Sequence, residues 1–480
     1  MQTISPPGRW RRRATEDVVG ASAGGDARLK RSLGRLDLTA MGIGTIVGAG
    51  IFVTTGVAAA TKAGPAIMLS FLLAGVICTL VALCYSELAA MVPVSGSAYT
   101  YTYATLGETP AFLVGWNLLL EFVVAGSAIA IGWSGMFGAT VESLFGLSLP
   151  TALTAAPADG GIVNLPAILI IAVIVAVLVG EVRLTARVTK ALVVLTIGVL
   201  LVIVAVGIPH IQVGNWAPFA PFGTGGVIGG AAVAFFAFLG FDVVATSAEE
   251  SRNPRRDLPF AIIGSVLVAT VLYIAVSAVL TGVSPYRSLN NEAPVATVFE
   301  KLQMGWVGSL ILVASVVALT KGLLMILYGQ TRLVFAMCRD RLLPPGLATT
   351  GRRGTPVRLA VLLGVVGALI AGFVPIGVVA ELVNVGALFA FALVSVGVLV
   401  LRQVDPHRER PFRTPLVPLV PLLAMIGCVV LAATLEPLTW ARFVVWLVAG
   451  IAVYLCYGRR HSFLAESLPA PAPSVVQEVR

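Results

Sequence analysis

The amino-acid sequence predicts an all-α polytopic membrane protein with about twelve transmembrane helices. Of its 480 residues, 58% are hydrophobic and only 11% are charged, and the mean hydropathy is +0.96. These values differ from those of soluble domains and indicate that a lipid bilayer surrounds the chain. A spanning helix needs about 20 mostly apolar residues. Roughly twelve such stretches, numbered TM1 to TM12, lie near 38–61, 67–91, 111–138, 162–181, 188–208, 225–248, 259–282, 304–335, 357–376, 379–401, 416–435 and 439–457.

The distribution of basic residues predicts the topology. If both termini are cytoplasmic and twelve helices alternate, all but five of the 32 Lys and Arg residues fall on the cytoplasmic side. The exceptions are Lys62, Arg287, Lys301, Arg442 and, within TM8, Lys321. The net charge of +9 is therefore a topology signal and does not indicate a nucleic-acid partner.

The sequence divides into two polar tails and one membrane domain. The first 36 residues are polar and basic and lack the apolar core of a cleavable signal peptide. We expect a disordered cytoplasmic tail at 1–36, a membrane domain at 37–457 and a second cytoplasmic tail at 458–480.

Nothing in the sequence calls for a cofactor or a catalytic metal. The five cysteines lie mostly within predicted helices without metal-ligand spacing, and the three histidines are scattered. No Ser/His/Asp grouping and no phosphate-binding GxxxxGK[ST] motif is present. We therefore expect no catalytic residues, no metal and no cofactor.

Two of the predicted helices contain breaks. The stretch GIGTIVGAGIF, beginning at Gly42, concentrates glycines in the middle of TM1, and the stretch FFAFLGFDVV places Gly240 and Asp242 inside TM6. Interrupted helices five apart are typical of an inverted five-helix repeat. The repeats would occupy about 37–210 and 222–402, with TM11 and TM12 added at about 414–457.

A broken helix exposes backbone groups that a ligand can use. Free amides at one half-helix end favour a carboxylate, and free carbonyls at the other favour an ammonium, so a zwitterion fits both. Close packing of helices is the other explanation for glycines in membranes. Four glycines in nine residues are more than a helix–helix interface needs, which favours a binding site.

Six motifs resemble, in the same order, the cationic amino acid transporter branch of the amino acid-polyamine-organocation superfamily. The resemblance runs from about position 34 to 457. The motifs are GIGTIVGAGIF, CYSELAAMVPVSGSAYTYTYATLGETPAFLVGWNLLLE, AFFAFLGFDVVATSAEESRNPRRDLP, YGQTRLVFAMCRDRLLP, ELVNVGALFAFALVSVGVLVLR and RPFRTPLVP. The resemblance implies a LeuT-type fold of ten core helices plus two, and secondary transport by alternating access.

The resemblance also implies which residues bind substrate. Amides would hold the α-carboxylate at Gly48, Ala49 and Gly50. Carbonyls would hold the α-ammonium at Ile46, Phe236, Ala237 and Leu239. Phe236 would also cover the bound substrate as an aromatic lid, and Glu121 in TM3 matches an acidic residue that faces the site. Glu121 is therefore a candidate sensor of a cationic side chain.

The ionisable residues within the membrane need partners or functions, because each costs about 2.5–3.5 kcal/mol on insertion scales. For Asp242, capping of freed amides and gating are equally compatible with its place in TM6. Lys321 lies eleven residues before Arg332, which is about 16 Å along a helix and too deep for its ammonium to reach the surface. Lys321 should therefore be buried in protein.

Lys321 is also a departure from the resemblance. Related proton-coupled members carry a lysine within TM5, in the place where sodium-coupled relatives of the fold bind sodium, whereas this chain has Thr196 there. One hypothesis is that the Lys321 ammonium, now from TM8, fills the same cavity and couples transport to protons. The alternative is a structural lysine paired with Asp242 or with carbonyls of the broken helices.

The sequence favours a secondary transporter, with proton-coupled uptake of arginine, lysine or ornithine across the cell membrane as the expected function. Neutral amino acids are the alternative substrates, because a fixed Lys321 charge would repel a cationic one. A passive channel and a membrane-embedded enzyme are the other classes. The expected partners are the amino acid, the proton and the lipid bilayer; an accessory subunit and the oligomeric state stay open.

Overall fold

The protein is described by a computed structural model that covers residues 33–48, 50–93, 97–180, 186–291, 293–349 and 356–462. Most of both predicted tails, and Ala49, lie outside the described residues. The principal elements are helices. The spans comprise Arg35–Ile46 with Gly50–Thr54, Thr55–Ala58 and Ala59–Ala63 (TM1), Ile67–Met91 (TM2), Glu108–Phe145 (TM3), Leu165–Val179 (TM4), Ala186–Gly207 (TM5), Gly223–Phe235 with Val243–Thr246 (TM6), Pro254–Val283 (TM7), Gly305–Arg339 (TM8), Val357–Phe373 (TM9), Ile376–Val404 (TM10), Leu419–Ala433 (TM11) and Pro437–Val453 (TM12).

These helices confirm the predicted all-α polytopic class. Within the described ranges, 8 helical stretches are long and apolar enough to cross a membrane, and three shorter apolar helices form TM4, TM9 and TM11. TM1 after its break runs almost directly into TM2 through a single turn at Gly64–Ala66. The two longest described helices outside the spans are Ser97–Thr105, named the loop helix, and Pro294–Lys301.

The helices pack in two groups. TM7 lies against TM2 and the first half of TM1, and TM6 also packs on TM2. TM3 packs on TM8, TM9 and TM10, while TM4 packs on TM9. TM5 lies between the groups, in contact with TM1, TM7 and TM8. The broken helices therefore occupy the middle of the molecule, where irregular backbone is shielded from lipid by protein.

Ion pairs fix TM1 at its N-terminal end. Asp37 pairs with Lys190 of TM5 at 2.5 Å, and Arg35 pairs with Asp257 of TM7 at 3.5 Å. Leu33 forms an isolated bridge with Ser251, beyond the TM6 break. The Asp37 carboxylate also accepts a hydrogen bond from the backbone amide of Gly34 at 2.9 Å.

The TM10–TM11 connection is held to TM2 by a buried carboxylate. Glu87 is only 1% exposed and accepts hydrogen bonds from Arg402 Nε at 3.0 Å and Nη2 at 2.8 Å. The backbone amide of Thr414 donates to the same carboxylate at 2.7 Å, and Arg410 pairs with it at 3.2 Å. These donors satisfy a charge that would otherwise be costly to bury. The RPFRTP motif is therefore a structural clamp on TM2.

TM12 is attached to TM3 by a reciprocal tryptophan pair. The rings of Trp116 and Trp446 stack with centroids 4.5 Å apart. Each indole N–H donates to the backbone carbonyl of the other residue, at 2.9 Å and 3.1 Å. Gly450 permits this approach, because a Cβ there would lie 2.4 Å from the Trp116 ring. TM12 thus packs against a core helix through a specific contact.

Candidate functional site

The predicted break in TM1 is confirmed. The α-helix ends at Ile46, Val47 is extended with ψ 99°, and the chain resumes as a π-helix at Gly50. The glycines on either side of Ala49 have different surroundings. In the part of the chain that the structure describes, and leaving out chain neighbours, a Cβ built on Gly48 would meet only Leu319 Cδ2, at 4.0 Å, whereas one on Gly50 would lie 2.2 Å from Ala237 Cα. Gly48 therefore borders open space, and Gly50 lets the two breaks touch.

The predicted break in TM6 is confirmed as well. Phe236–Phe238 forms a 3₁₀ turn, Leu239 is extended, and Gly240 has φ +111°, a region that favours glycine. A Cβ on Gly240 would also lie 2.6 Å from Thr45 Cγ2. The helix restarts at Val243. Phe236 and Leu239 are each 8% exposed, so both side chains are buried at the break.

A tyrosine that sequence reasoning missed joins the two breaks. The hydroxyl of Tyr273 in TM7 lies 2.9 Å from the carbonyl oxygen of Ile46 and 2.9 Å from that of Ala237. Since a hydroxyl has one hydrogen, the two carbonyls share it. Both carbonyl oxygens therefore lie beside the Tyr273 hydroxyl, and each keeps a second lone pair. The sequence contains one indication of this role: Tyr273 places a hydroxyl in the middle of an apolar helix, where a buried hydroxyl needs a hydrogen-bond partner.

Lys321 lies where TM1, TM5 and TM8 meet. Its side chain is buried, and Nζ lies 3.2 Å from the Cβ position of Gly44, with Val193 of TM5 at 2.8 Å from the same point. Nζ has no hydrogen-bond partner or ion pair among the described residues. The predicted burial is therefore confirmed, and the structural alternative lacks its expected partner in the described part of the chain.

Thr196, the predicted TM5 counterpart of Lys321, lies three residues after Val193 and is 1% exposed. This spacing places the two residues on neighbouring positions of one helix face. Its hydroxyl donates to the carbonyl of Leu192 at 2.8 Å, so it is satisfied within its own helix. Thr196 thus lies on the same side of TM5 as the residue that approaches Gly44.

Glu121 and Asp242 are both buried, in TM3 and TM6 respectively. Glu121 Oε2 and both Asp242 oxygens have no hydrogen-bond partner among the described residues. The Asp242 side chain makes no capping hydrogen bond to the helix that restarts at Val243. Asp242 therefore does not cap the helix in this conformation.

The fold and the two meeting breaks define a polytopic transport protein, and sequence comparison agrees. The chain matches the family model described as amino acid permease over residues 33–454. It therefore belongs to the amino acid permease family, within the amino acid-polyamine-organocation superfamily, and is a transporter rather than an enzyme.

Three relatives show the range of the family. The chain is 46% identical to the methylthioribose transporter of Bacillus subtilis, covering 91% of this chain and 95% of the relative. It is 45% identical to the branched-chain amino acid permease BcaP of the same organism, over 95% and 98% of the two chains. It is 30% identical to human cationic amino acid transporter 4, over 91% and 88%. The predicted resemblance is confirmed, since cationic transporters are among the relatives.

Proposed function

We propose that this protein is a secondary active transporter that moves amino acids across the cell membrane by alternating access, with both termini cytoplasmic and the proton as coupling ion. The observation that carries the proposal is the meeting of the two breaks. The Ile46 and Ala237 carbonyls converge, and Gly48 borders open space beside them. Carbonyls suit an α-ammonium and a free half-helix end suits an α-carboxylate. The amides at Gly48 and Gly50, with Ala49 between them, remain the proposed carboxylate site.

Two observations favour neutral, aliphatic amino acids as the substrates. The open space at Gly48 faces the aliphatic side chain of Leu319. The ammonium of Lys321 lies beside Gly44, four residues before Gly48 and ahead of the break in TM1, without an ion pair among the described residues, and would repel a cationic side chain. The 45% identity to a branched-chain amino acid permease agrees with this assignment.

Cationic amino acids are the second candidate, supported by Glu121. This carboxyl group is buried in TM3 with one oxygen unpaired among the described residues, and Asp242 in TM6 is a second buried carboxyl group without a partner there. Together they would attract a guanidinium or ammonium that reached past the break. The two candidate substrate classes differ in which charged group acts on the substrate side chain: the Lys321 ammonium disfavours a cationic one, and the Glu121 carboxylate favours it.

An uptake screen tests the proposal directly. Purified protein in liposomes is offered the common amino acids, polyamines and methylthioribose, with and without an inwardly directed proton gradient. We expect accumulation of an amino acid that depends on the gradient. Equal uptake with and without the gradient would contradict proton coupling, and uptake of methylthioribose alone would contradict the amino acid assignment.

The variant Glu121→Gln distinguishes the two substrate classes. If Glu121 binds a cationic side chain, the variant should weaken arginine uptake far more than leucine uptake, because losing a desolvated charge partner costs on the order of several kcal/mol. If the substrate is neutral, leucine and arginine should change equally. Glu142→Gln is the matched control, since Glu142 is an exposed glutamate of the same helix.

A further inference from the structure

The loop helix between TM2 and TM3 carries three tyrosines at alternate positions. Tyr99, Tyr101 and Tyr103 are 0%, 0% and 1% exposed. The rings of Tyr99 and Tyr103 stack with centroids 6.0 Å apart, as residues four apart on one helix face do. Tyr101, two positions from each, points to a different side of the helix. The three phenols therefore meet different surroundings.

The outer two tyrosines have fixed partners. Tyr99 donates to Asp340 Oδ2 at the end of TM8, at 2.7 Å. Tyr103 donates to Glu108 at the start of TM3, at 3.4 Å, and this carboxylate also accepts from Tyr454 at 2.9 Å. These hydrogen bonds attach the loop helix to elements that do not belong to the breaks.

The hydroxyl of Tyr101 is different, because it has no hydrogen-bond partner among the described residues. A buried hydroxyl without a partner is costly, and nearly all such groups in proteins are paired. A phenylalanine would fill the same space without that cost. An unpaired phenol at this place therefore needs an explanation other than packing.

The residues around the Tyr101 ring suggest an explanation for its unpaired hydroxyl. Its ring contacts Tyr85 edge-on at 5.4 Å, and Tyr85 contacts Phe241, the neighbour of Asp242, at 5.9 Å. The Tyr85 hydroxyl is itself engaged by Ser97 and by the Ala98 amide. These contacts place Tyr101 one aromatic ring away from Phe241, which directly precedes Asp242, a carboxylate whose two oxygens are also unpaired among the described residues.

We propose that the hydroxyl of Tyr101 donates a hydrogen bond to Asp242 in another conformation of the transport cycle, reached when the half of TM6 after the break shifts towards the loop helix. The Tyr101–Asp242 hydrogen bond is absent in the conformation described and forms in the second one. It therefore stabilises the second conformation and favours the change of access. Tyr101 is thereby a positioning residue that acts through Asp242. This role rests on the proposed transport function.

The test compares Tyr101→Phe with Tyr99→Phe, a matched change on the same buried helix. Tyr99→Phe removes a donor from the Asp340 carboxylate, so it should lower the melting temperature and leave uptake per folded molecule unchanged. Tyr101→Phe should leave the melting temperature equal to or above that of the wild type, because no bond is lost in this conformation. Its uptake rate should fall about tenfold, the effect of losing a hydrogen bond to a charged group.

A double variant identifies the partner. Asp242→Ala removes the acceptor and should slow uptake, and adding Tyr101→Phe to it should cause little further loss, since each change alone removes the same interaction. Full uptake by Tyr101→Phe, a melting temperature lowered as much as by Tyr99→Phe, or multiplied losses in the double variant would each overturn the proposal. Absence of amino acid uptake by the wild type would instead overturn the proposed function and, with it, this role.

Discussion

Replacing Gly48 with leucine is expected to abolish substrate binding and uptake while the protein still folds. Among the described residues outside its own chain neighbours, a Cβ at Gly48 would meet Leu319 Cδ2 alone, 4.0 Å away, so a side chain enters open space rather than packed protein. If that space receives the α-carboxylate, leucine fills it. Binding measured by a ligand-induced thermal shift, and uptake in liposomes, should both fall to background.

The matched control is Gly50→Ala, a smaller change two residues later. Its Cβ would lie 2.2 Å from Cα of Ala237, which is backbone and cannot give way as a side chain can. Overpacking commonly costs about 1–3 kcal/mol, and a collision with backbone should reach the upper part of that range. We expect Gly50→Ala to lower the melting temperature, whereas Gly48→Leu should leave it near the wild-type value.

Normal uptake by a well-folded Gly48→Leu variant would contradict the backbone site. A substrate analogue provides an independent check on the same point. The methyl ester of the transported amino acid lacks the carboxylate charge and should not compete. An ester that competes as well as the free acid would show that the half-helix end does not bind the carboxylate.

The breaks could be predicted from sequence because their signals are local. Glycines clustered inside TM1, and Gly240 beside Asp242 inside TM6, conflict with the apolar helical pattern around them. That conflict is visible without any tertiary information, since glycine and an acidic residue are unfavourable inside a membrane helix. The burial of Lys321 followed in the same way from its distance to the helix end.

The contacts between the breaks could not be predicted. Gly48 and Gly50 look equivalent in the sequence, and only the position of Ala237, from a helix nearly 190 residues later, separates their roles. Likewise the Tyr273 hydroxyl reaches a carbonyl 227 residues away. Such pairings depend on how helices cross, and hydrophobic patterns specify which face is buried but not which atoms meet there.

Replacing Lys321 with alanine is expected to abolish accumulation driven by the proton gradient while binding and exchange of substrate persist. The ammonium extends from TM8 to Gly44 of TM1, which Val193 of TM5 also approaches, so it lies at the junction of three helices. We propose that it takes up a proton in one access state and releases it in the other, as intramembrane ionisable groups do in coupled transporters. Alanine has nothing to protonate.

The same variant separates coupling from a structural role. Nζ has no partner among the described residues, so its removal leaves no carboxylate or carbonyl unpaired there and should cost no more stability than the cavity that alanine leaves. A structural lysine would give the opposite result, a variant that folds poorly. Lys301→Ala is the control, because Lys301 is exposed and lies just before TM8.

Rescue from TM5 tests the position of the ammonium itself. Combining Lys321→Thr with Thr196→Lys, or with Val193→Lys, moves the charge to TM5, and Val193 is the TM5 residue that approaches Gly44. If TM1, TM5 and TM8 line one cavity, at least one of the double variants should regain gradient-driven accumulation that Lys321→Thr alone lacks. Full gradient-driven uptake by Lys321→Ala would defeat the mechanism. Loss of substrate exchange in Lys321→Ala would show instead that the lysine is needed for binding or for the conformational change.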